Sequence, residues 1–496
     1  MKLRTLFLLL AGSCCVFQAG AAAVIGIPQQ SSDEQTLNPI VPISLGDEEL
    51  IQPEPYIPDA VAEIAPIFER NINVEPINGS EDEDQPQLES ASYAAIDEVI
   101  VEPVPEVLES FVEQKPEGRA SECKVTIRGG LPSPQPIYLQ TDSEELYPYD
   151  DTGVMVVDTG KSLQLWCPGQ FSSIADTLIT ATCVSGSNFR VSGTTYAFKE
   201  LACKAWPAFV AEKTGASCNG GIMVRVGYKI SSSRFAQKYE VCFNEEEEVT
   251  RYVHHDLDPG SNYYETGVAR ITFQTAGFFD GKQVDNLYKQ VTQQATIEAQ
   301  LSNDASQYFD SNKNVYLARG HMAAKADFDY ASGQRASFLF INAAPQWQVF
   351  NAGNWERIED GVRSKVAASK WYVDCYTGVY GVTTLPNADG VQTPLYLAYD
   401  SNNNGLIPVP KLYFRIVIER TSQKGIVFIG VNNPHLSLEE IQKDYILCAD
   451  VADQVDYINW KRTDLTAGYS YACTVDDFKQ NVTYLPEVSA SGGLLL

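Results

Sequence analysis

The chain has 496 residues, of which 44% are hydrophobic, and it carries a formal net charge of −28. This length allows more than one domain, and the charge is opposite in sign to the basic balance typical of nucleic-acid-binding proteins. After residue 21 no apolar stretch is long enough to span a bilayer, which argues against a membrane protein.

Residues 1–21 have the pattern of a secretory signal peptide. Lys2 and Arg4 precede a short apolar run, and Ala19-Gly20-Ala21 forms a small-residue cleavage site. We therefore expect a secreted, extracellular protein without membrane attachment.

Residues 22–119 form an acidic segment rich in Pro, Glu, Asp, Gln and Ser. They hold 22 acidic and three basic residues, a net charge of −19. Residues 1–21 contribute +2, so residues 120–496 carry −11 of the total of −28. Such a composition buries too little apolar surface to offset its ordering entropy, which predicts disorder. The segment is interpreted either as a solubilising linker or as a propeptide removed after Arg119.

Residues 120–245 are expected to form a cysteine-rich β module that precedes a larger domain. Beyond the signal peptide the chain has nine cysteines, an odd number, which predicts disulfides and one thiol that is free or paired with another chain. Short strands separated by Gly, Ser, Pro and Asn clusters are predicted here, at Lys124–Ile127, Val154–Val157, Leu163–Cys167, Leu178–Cys183, Ile222–Val226 and Tyr239–Phe243. Sequons at Asn78 and Asn481 predict a glycoprotein.

Residues 246–496 are expected to form an α+β domain in which helices flank a β-sheet, because strands and helices interleave without a βαβ rhythm. Ser437 and Glu440 predict a capping box before a last helix. The predicted strands are Gly267–Thr275, Val315–Arg319, Phe338–Asn342, Leu412–Glu419 and Ile426–Val431, and the predicted helices are Asn286–Leu301 and Asn354–Trp371.

Residues 316–359 collect the groups that phosphodiester hydrolysis requires. The chain has only four histidines, and one of them, His321, stands here beside a cation, two amides and a carboxylate. Hydrolysis needs a base for water and a sink for transition-state charge, and a bound divalent metal can supply the sink. The residues concerned are Arg319, His321, Asn342, Asn351 and Glu359.

Asn351 and Glu359 are eight residues apart, about two helical turns, which places them near one face of a predicted helix. Mg²⁺ keeps most of its waters, so the amide oxygen of Asn351 would suffice as its protein ligand when substrate phosphate completes the octahedron. Asn351 could instead cap the following helix, with Asn354 as a second candidate for the cap. Arg363, four residues after Glu359, forms either a helix-surface pair or a phosphate contact.

The stretches LARGHMAAKADF and NAAPQWQVFNAGNWERIEDGVR resemble the DNA/RNA non-specific endonuclease family, the ββα-metal nucleases. The resemblance covers residues 262–435 and is closest to the secreted arthropod branch of double-stranded ribonucleases and alkaline nucleases. It implies a ββα-metal core and sugar-non-specific cleavage of DNA and RNA, double-stranded RNA included, with Mg²⁺ or alternatively Mn²⁺ as cofactor. No protein partner can be inferred.

By this resemblance His321 would be the general base and Asn351 the direct metal ligand. Glu359 would hold metal-bound waters, and Asn342 would position the histidine. Arg319 would clamp the scissile phosphate, with Arg363 as a second cationic contact.

Ala318 departs from the family pattern, since founding members have Asp at this position. This departure keeps open the alternative of a catalytically weak or inactive nucleic-acid-binding protein on the same fold. A structural extracellular protein with a relic motif is a third interpretation. Lys325 is interpreted either as a substrate contact or as a solvated loop lysine.

Overall fold

A computed structural model describes residues 122–496. Its strands are β1 Cys123–Thr126, β2 Ile137–Leu139, β3 Val154–Val157, β4 Ser162–Trp166, β5 Leu178–Ser185, β6 Asn188–Val191, β7 Thr194–Ala197, β8 Val210–Cys218, β9 Gly221–Lys229, β10 Phe235–Asn244, β11 Val249–Leu257, β12 Leu317–His321, β13 Ala343–Trp347, β14 Val373–Val382, β15 Thr384–Pro386, β16 Gln392–Pro394, β17 Tyr396–Tyr399, β18 Gly405–Pro408, β19 Pro410–Glu419, β20 Lys424–Val431, β21 Ser470–Cys473 and β22 Gly493–Leu494. Its helices are α1 Ile127–Gly130, α2 Val284–Leu287, α3 Gln290–Leu301, α4 Ala331–Ala336, α5 Gln348–Phe350, α6 Glu356–Ser369, α7 Leu438–Asp444 and α8 Val475–Asn481.

Residues 122–209, here called the N-terminal module, contain a five-stranded antiparallel sheet in the order β2-β4-β5-β6-β7 and a two-stranded pair of β1 with β3. Disulfides Cys123–Cys183 and Cys167–Cys203 cross-link the module. Its own apolar core includes Leu163, Leu165 and Phe189. The predicted disulfide-rich β module is therefore present.

The boundary expected between residues 245 and 246 has to be corrected. Strands β8 to β10 belong to a nine-stranded sheet with β11, β14, β19, β20 and β21, in the order β21-β20-β19-β14-β11-β10-β9-β8, with β22 added in parallel to β20. The boundary between the two sheets therefore lies between β7 and β8, because ladder hydrogen bonds connect residues 210–244 to the later strands.

Both faces of strand β19 in the large sheet are buried, as its nearly continuous apolar run from Leu412 to Ile418 predicts. In β19, Tyr413 and Val417 face a core shared with β12, α3 and α6. Phe414 and Ile416 of the same strand face a second core shared with α7 and α8. The expected sheet flanked by helices, an α+β fold, is confirmed.

The ββα element consists of β12 and β13, paired from Leu317↔Trp347 to His321↔Ala343, followed by helix α6. The predicted strand Gly267–Thr275 is wrong, since it lies in a long loop with one isolated bridge at Gln274. The strand predicted at Phe338–Asn342 is shifted to β13, and a 3₁₀ turn occupies Phe340–Asn342.

The capping box of Ser437 and Glu440 forms as predicted, although α8 follows that helix. Two further disulfides, Cys218–Cys242 and Cys448–Cys473, leave Cys375 as the free cysteine among the described residues. The thiol of Cys375 is buried, and a free thiol is one of the two outcomes that the odd cysteine count predicted.

Within residues 122–496, none of the helices is long and apolar enough to cross a membrane. The signal peptide 1–21, the acidic segment 22–119 and the sequon at Asn78 lie outside the described residues.

Candidate active site

A cavity of about 810 Å³ opens between the ββα element and the loop that follows β11. Five of the six predicted site residues line it, namely Arg319, His321, Asn351, Glu359 and Arg363. The strand β12 supplies the first two and the helical segment 348–369 supplies the others. Asn342 does not line the cavity.

The His321 imidazole is held between aromatic rings. Its ring centroid lies 5.0 Å from that of Phe273 and 5.2 Å from that of Phe338. Nε2 is buried without a hydrogen-bond partner among the described residues, and the residue lines the cavity. Burial, reinforced by the positive charges of Arg270 and Lys325, lowers the pKa of His321 to about 3. The imidazole is therefore neutral at physiological pH.

Asn342 is buried directly behind the histidine. Its Oδ1 accepts a hydrogen bond from Ala323 N at 2.9 Å, and its Nδ2 donates to Ala323 O at 3.0 Å and Ser337 O at 2.9 Å. Its own carbonyl accepts from Met322 N at 2.9 Å. These bonds fix the chain that leaves His321, which is the geometry expected of a residue that positions the histidine.

Asn351 does not act as a helix N-cap. It has α-helical backbone angles and begins a π-helical segment, Asn351–Trp355, that joins α5 to α6. The Asn354 side chain bonds to Lys461 and Gly468 at 2.7 to 2.8 Å, so it ties down the C-terminal region instead of capping α6. The suggestion that Asn354 takes the cap is therefore wrong.

The amide of Asn351 is oriented by Gln348, because Nδ2 donates to Gln348 Oε1 at 3.1 Å. This bond leaves Asn351 Oδ1 as an acceptor on the cavity. The Glu359 carboxylate lines the same cavity, and burial together with the charge of Asp327 raises its pKa to about 8. An amide oxygen and a carboxylate with unused lone pairs fit the oxygen ligands that Mg²⁺ prefers.

Arg319 reaches the cavity edge and is already engaged. Its Nη2 donates to Asp285 Oδ1 at 2.7 Å and Asp285 O at 3.2 Å, and its guanidinium lies 5.2 Å from the Tyr288 ring centroid. Asp285 is half exposed, so a phosphate group can compete with it for the guanidinium.

Arg363 forms no surface pair with Glu359. It is 5% exposed, and its Nη1 donates to Asp327 Oδ1 at 2.8 Å while Nη2 lies 3.3 Å from Asp360 Oδ1. Asp327 also accepts from His255 Nε2 at 2.8 Å and Arg415 Nη2 at 3.0 Å. Burial opposes ionisation of Asp327, but Arg415, His255 and Arg363 hold its pKa far below the usual range.

Further charged residues belong to the site or support it, and of these Lys325 is a candidate from the sequence while Arg270, Arg357 and Arg415 are not. Arg270 and Arg357 line the cavity, and Lys325 lines it while its Nζ donates to Val268 O at 2.6 Å. Arg270 lies far from the motif along the chain, but Arg415 interrupts an otherwise apolar strand, YFRIVI, and that interruption is a readable signal.

The absence of Asp at position 318 does not disturb the strand. Ala318 pairs with Gln346 inside a regular β12–β13 ladder. Both amide atoms of Gln346 are buried without partners in the described part of the chain. Gln346 therefore has no polar partner at position 318. The path of the strand to His321 is unchanged.

A neutral histidine, an amide–carboxylate pair suited to a divalent metal and several cationic groups at one cavity define a metal-dependent phosphodiesterase. The chain belongs to the DNA/RNA non-specific endonuclease family, whose model matches residues 219–478, more than half of the chain. It is a nuclease of a metal-dependent family.

The chain is similar to a salivary endonuclease of Lutzomyia longipalpis, with 27% identity over 361 residues that cover 71% of this chain and 81% of the relative. It is also similar to salivary protein Tsal1 of Glossina morsitans morsitans, with 23% identity and coverage of 58% and 70%. Among solved structures it is similar to a chain of the EndoG/EndoGI complex, with 18% identity, a TM-score of 0.29 and coverage of 52% and 84%.

Proposed function

We propose that this protein is a secreted, Mg²⁺-dependent endonuclease that hydrolyses the phosphodiester bonds of DNA and RNA, double-stranded RNA included. One observation carries the proposal. A neutral imidazole, the oxygen of an oriented amide and a glutamate carboxyl group meet at one cavity, on His321, Asn351 and Glu359.

His321 acts as the general base. Its ring lines the cavity, and because the ring is neutral it can take a proton from the attacking water. Asn342 prevents the chain behind the ring from moving, and Phe273 and Phe338 restrict its rotation. When phosphate binds between Arg270 and Lys325, its negative charge offsets theirs and makes the imidazole a stronger base.

Arg319 binds the scissile phosphate after exchanging its partner Asp285 for a phosphate oxygen. Asn351 would hold the metal ion through Oδ1, and Glu359 would orient water bound to it. When bound, the ion supplies positive charge for the transition state and the leaving oxygen. Arg363 keeps the helix in place through Asp327, so we assign it to positioning rather than to direct phosphate contact.

The protein recognises its substrate through the sugar-phosphate backbone of the nucleic acid. The cavity wall offers cations and amides, and this set suits phosphate more than base edges. Sugar-non-specific cleavage of both nucleic acids follows from such contacts. An extracellular site of action fits the four disulfides and the signal-like residues 1–21.

The test is an incubation of the purified protein with plasmid DNA and with double-stranded RNA, with Mg²⁺ and then with EDTA. Cleavage of both only with Mg²⁺ is expected. His321→Asn should lower the rate by about 10²–10⁴-fold, since it removes the base. Its control, His254→Asn, lies outside the cavity and should cut normally.

Two results would contradict the proposal. Retained binding without cleavage by the wild-type protein would select the non-catalytic nucleic-acid-binding alternative. Unchanged cleavage by His321→Asn would remove the histidine from its assigned role.

A further inference from the structure

We propose that the N-terminal module is a positioning element of the active site, in which Arg128 and Tyr149 fix the loop that forms one wall of the catalytic cavity. The inference rests on the proposed nuclease function and assigns a role to residues 122–209, which lie outside the family match.

The wall is the loop from Asp258 to Arg270. It contains one 3₁₀ turn, Ser261–Tyr263, and otherwise has no helix or strand. Tyr264, Glu265 and Arg270 line the cavity opposite helix α6. Because a loop of this kind has no ladder of its own, its position depends on the groups that bind it from outside.

Arg128 of the module binds the main chain of this loop. Its Nε donates to Tyr264 O at 3.1 Å and its Nη2 to Asn262 O at 3.0 Å. The guanidinium also lies 5.8 Å from the Tyr263 ring centroid and 5.6 Å from that of Tyr264. The planar fork of arginine satisfies two carbonyls at once, which lysine cannot do in the same geometry.

Two further side chains of the module bond to the same loop. The Tyr149 hydroxyl lies 2.7 Å from Asp258 Oδ2, at the start of the loop, and it also bonds to Asp329. Gln135, which is fully buried, donates through Nε2 to the carboxylate of Glu265. Contacts with the module are therefore spread along the wall.

The fit between module and wall is close in both directions. A Cβ at Gly153 of the module would lie 2.4 Å from Tyr263 Cβ, and one at Gly260 of the loop would lie 2.2 Å from Tyr149 Cε2. Each partner thus has a glycine where the other inserts an aromatic side chain. This complementarity indicates that the module and the wall form a specific interface.

The wall also meets the catalytic helix. The guanidinium of Arg363, on α6, lies 5.8 Å from the Tyr264 ring centroid, so a shift of the loop changes the spacing between wall and helix. His321 and Asn351 lie on other elements, β12 and the π-helical segment, and neither bonds to Arg128; the wall affects His321 through the charge of Arg270. Loss of the module contact should therefore weaken substrate binding more than chemistry.

The principal experiment measures kcat and KM for cleavage of double-stranded RNA by Arg128→Ala, Arg128→Lys and Arg190→Ala. Arg128→Ala should raise KM by about tenfold and change kcat by less than about twofold, since it removes two hydrogen bonds that fix the wall. Arg128→Lys should recover part of the loss. Arg190→Ala is the matched control, because Arg190 is exposed on β6 of the same module and should have no effect.

A second measurement does not need activity. Amide hydrogen exchange in residues 258–270 should accelerate in Arg128→Ala and in Tyr149→Phe, and stay at the wild-type rate in Arg190→Ala. Tyr149→Phe keeps the ring against Gly260, so it folds even where loss of the arginine is damaging.

The two proposals can fail separately. A wild-type protein that cuts nothing overturns the nuclease function, while faster exchange in the variants would still support the positioning role of the module. Unchanged exchange and unchanged KM in Arg128→Ala overturn the positioning role and leave the nuclease function standing.

Discussion

His321 shows what a motif reveals about a single residue and what it omits. The order Arg319-Gly320-His321 was sufficient to place the histidine at the cavity. Its low pKa was not readable, because that shift arises from burial and from the charges of Lys325 and of Arg270, and only the fold shows the burial and brings Arg270 near. The aromatic partners Phe273 and Phe338 are likewise distant in sequence.

Asn351 offers a test of metal binding by one side chain. Asn351→Ala removes the only amide oxygen that Gln348 orients toward the cavity. The Mg²⁺ concentration for half-maximal cleavage should rise by about 10–100-fold, with a smaller loss of rate at saturating metal. Titration of activity with Mg²⁺ measures both.

Asn402→Ala is the matched control, since Asn402 is exposed in the turn between β17 and β18. If the two variants show the same Mg²⁺ dependence as the wild-type protein, Asn351 is not a ligand.

The elements were predictable where the apolar pattern is strong, as in β19 and β20, and less so where tertiary contacts decide. Strand β13 has the sequence Ala-Ala-Pro-Gln-Trp, which has low strand propensity. Pro345 is tolerated because β13 pairs with β12 alone, so the missing N–H can point away from the ladder. The loop at 267–275 alternates like a strand but finds no partner strand.

Asp327 bonds to side chains on three elements, namely His255 of β11, Arg363 of α6 and Arg415 of β19. Its replacement tests how much these bonds contribute to stability. Asp327→Asn keeps the side-chain shape but leaves the buried cation Arg415 without its counter-ion and Arg363 with the exposed Asp360 as its acidic contact. The free energy of unfolding should fall by about 3–5 kcal/mol. Urea unfolding at pH 7 measures the change.

Asp360→Asn is the control, because Asp360 contacts the same Arg363 at 3.3 Å but its side chain is 66% exposed. It should change the unfolding free energy by less than about 1 kcal/mol. Equal losses in the two variants would contradict a special role of the buried carboxylate.

A second charge cluster, on the sheet strands β11 and β14, predicts a pH dependence of stability. Burial opposes a charge on His254, but the hydrogen bond to Asp374 and the nearby carboxylates of Glu240, 3.9 Å away, and Asp256 outweigh it and raise the pKa to about 9. Arg420 already pairs with Asp256 and Asp374, so a cation occupies the place that a metal ion would take.

Since the folded-state pKa of His254 exceeds the unfolded value of about 6.5, its stabilising contribution is complete below pH 6.5 and is lost as pH rises through 9. The wild-type protein should exceed His254→Asn in unfolding free energy by about 1–3 kcal/mol at pH 6.5, and the gap should close by pH 10. Urea unfolding across this range measures it. A gap that is constant with pH would show that the histidine is not charged in the folded state.

For the whole molecule, composition was informative about charge and misleading about domain limits. The net charge of −19 is assigned to residues 22–119 without any structural information, because charge is counted directly from residues. The limit at 245/246 was misplaced, because cysteine density is local while the pairing of β10 with β11 and of β11 with β14 joins distant parts of the chain. Sheet membership is a property of long-range pairing.

The segment 22–119 leads to the last prediction. Its net charge of −19 exceeds the −11 of residues 120–496, so we expect it to repel polyanionic substrates and to compete with them for the cations at the cavity. Cleavage after Arg119 should therefore raise the rate on DNA at 0.1 M salt, where the Debye length is about 10 Å. The gain should largely vanish at 1 M salt, where that length is about 3 Å.

The measurement compares initial rates of the full chain and of the chain trimmed after Arg119, at both salt concentrations and at equal Mg²⁺. A chain with the acidic residues of 22–119 replaced by Gln and Asn serves as the control, since it keeps the length and loses the charge. If this control is as slow as the wild-type full chain, the segment acts by steric cover. Equal rates of full and trimmed chains at low salt would exclude any inhibitory role, because electrostatic competition must be strongest where screening is weakest.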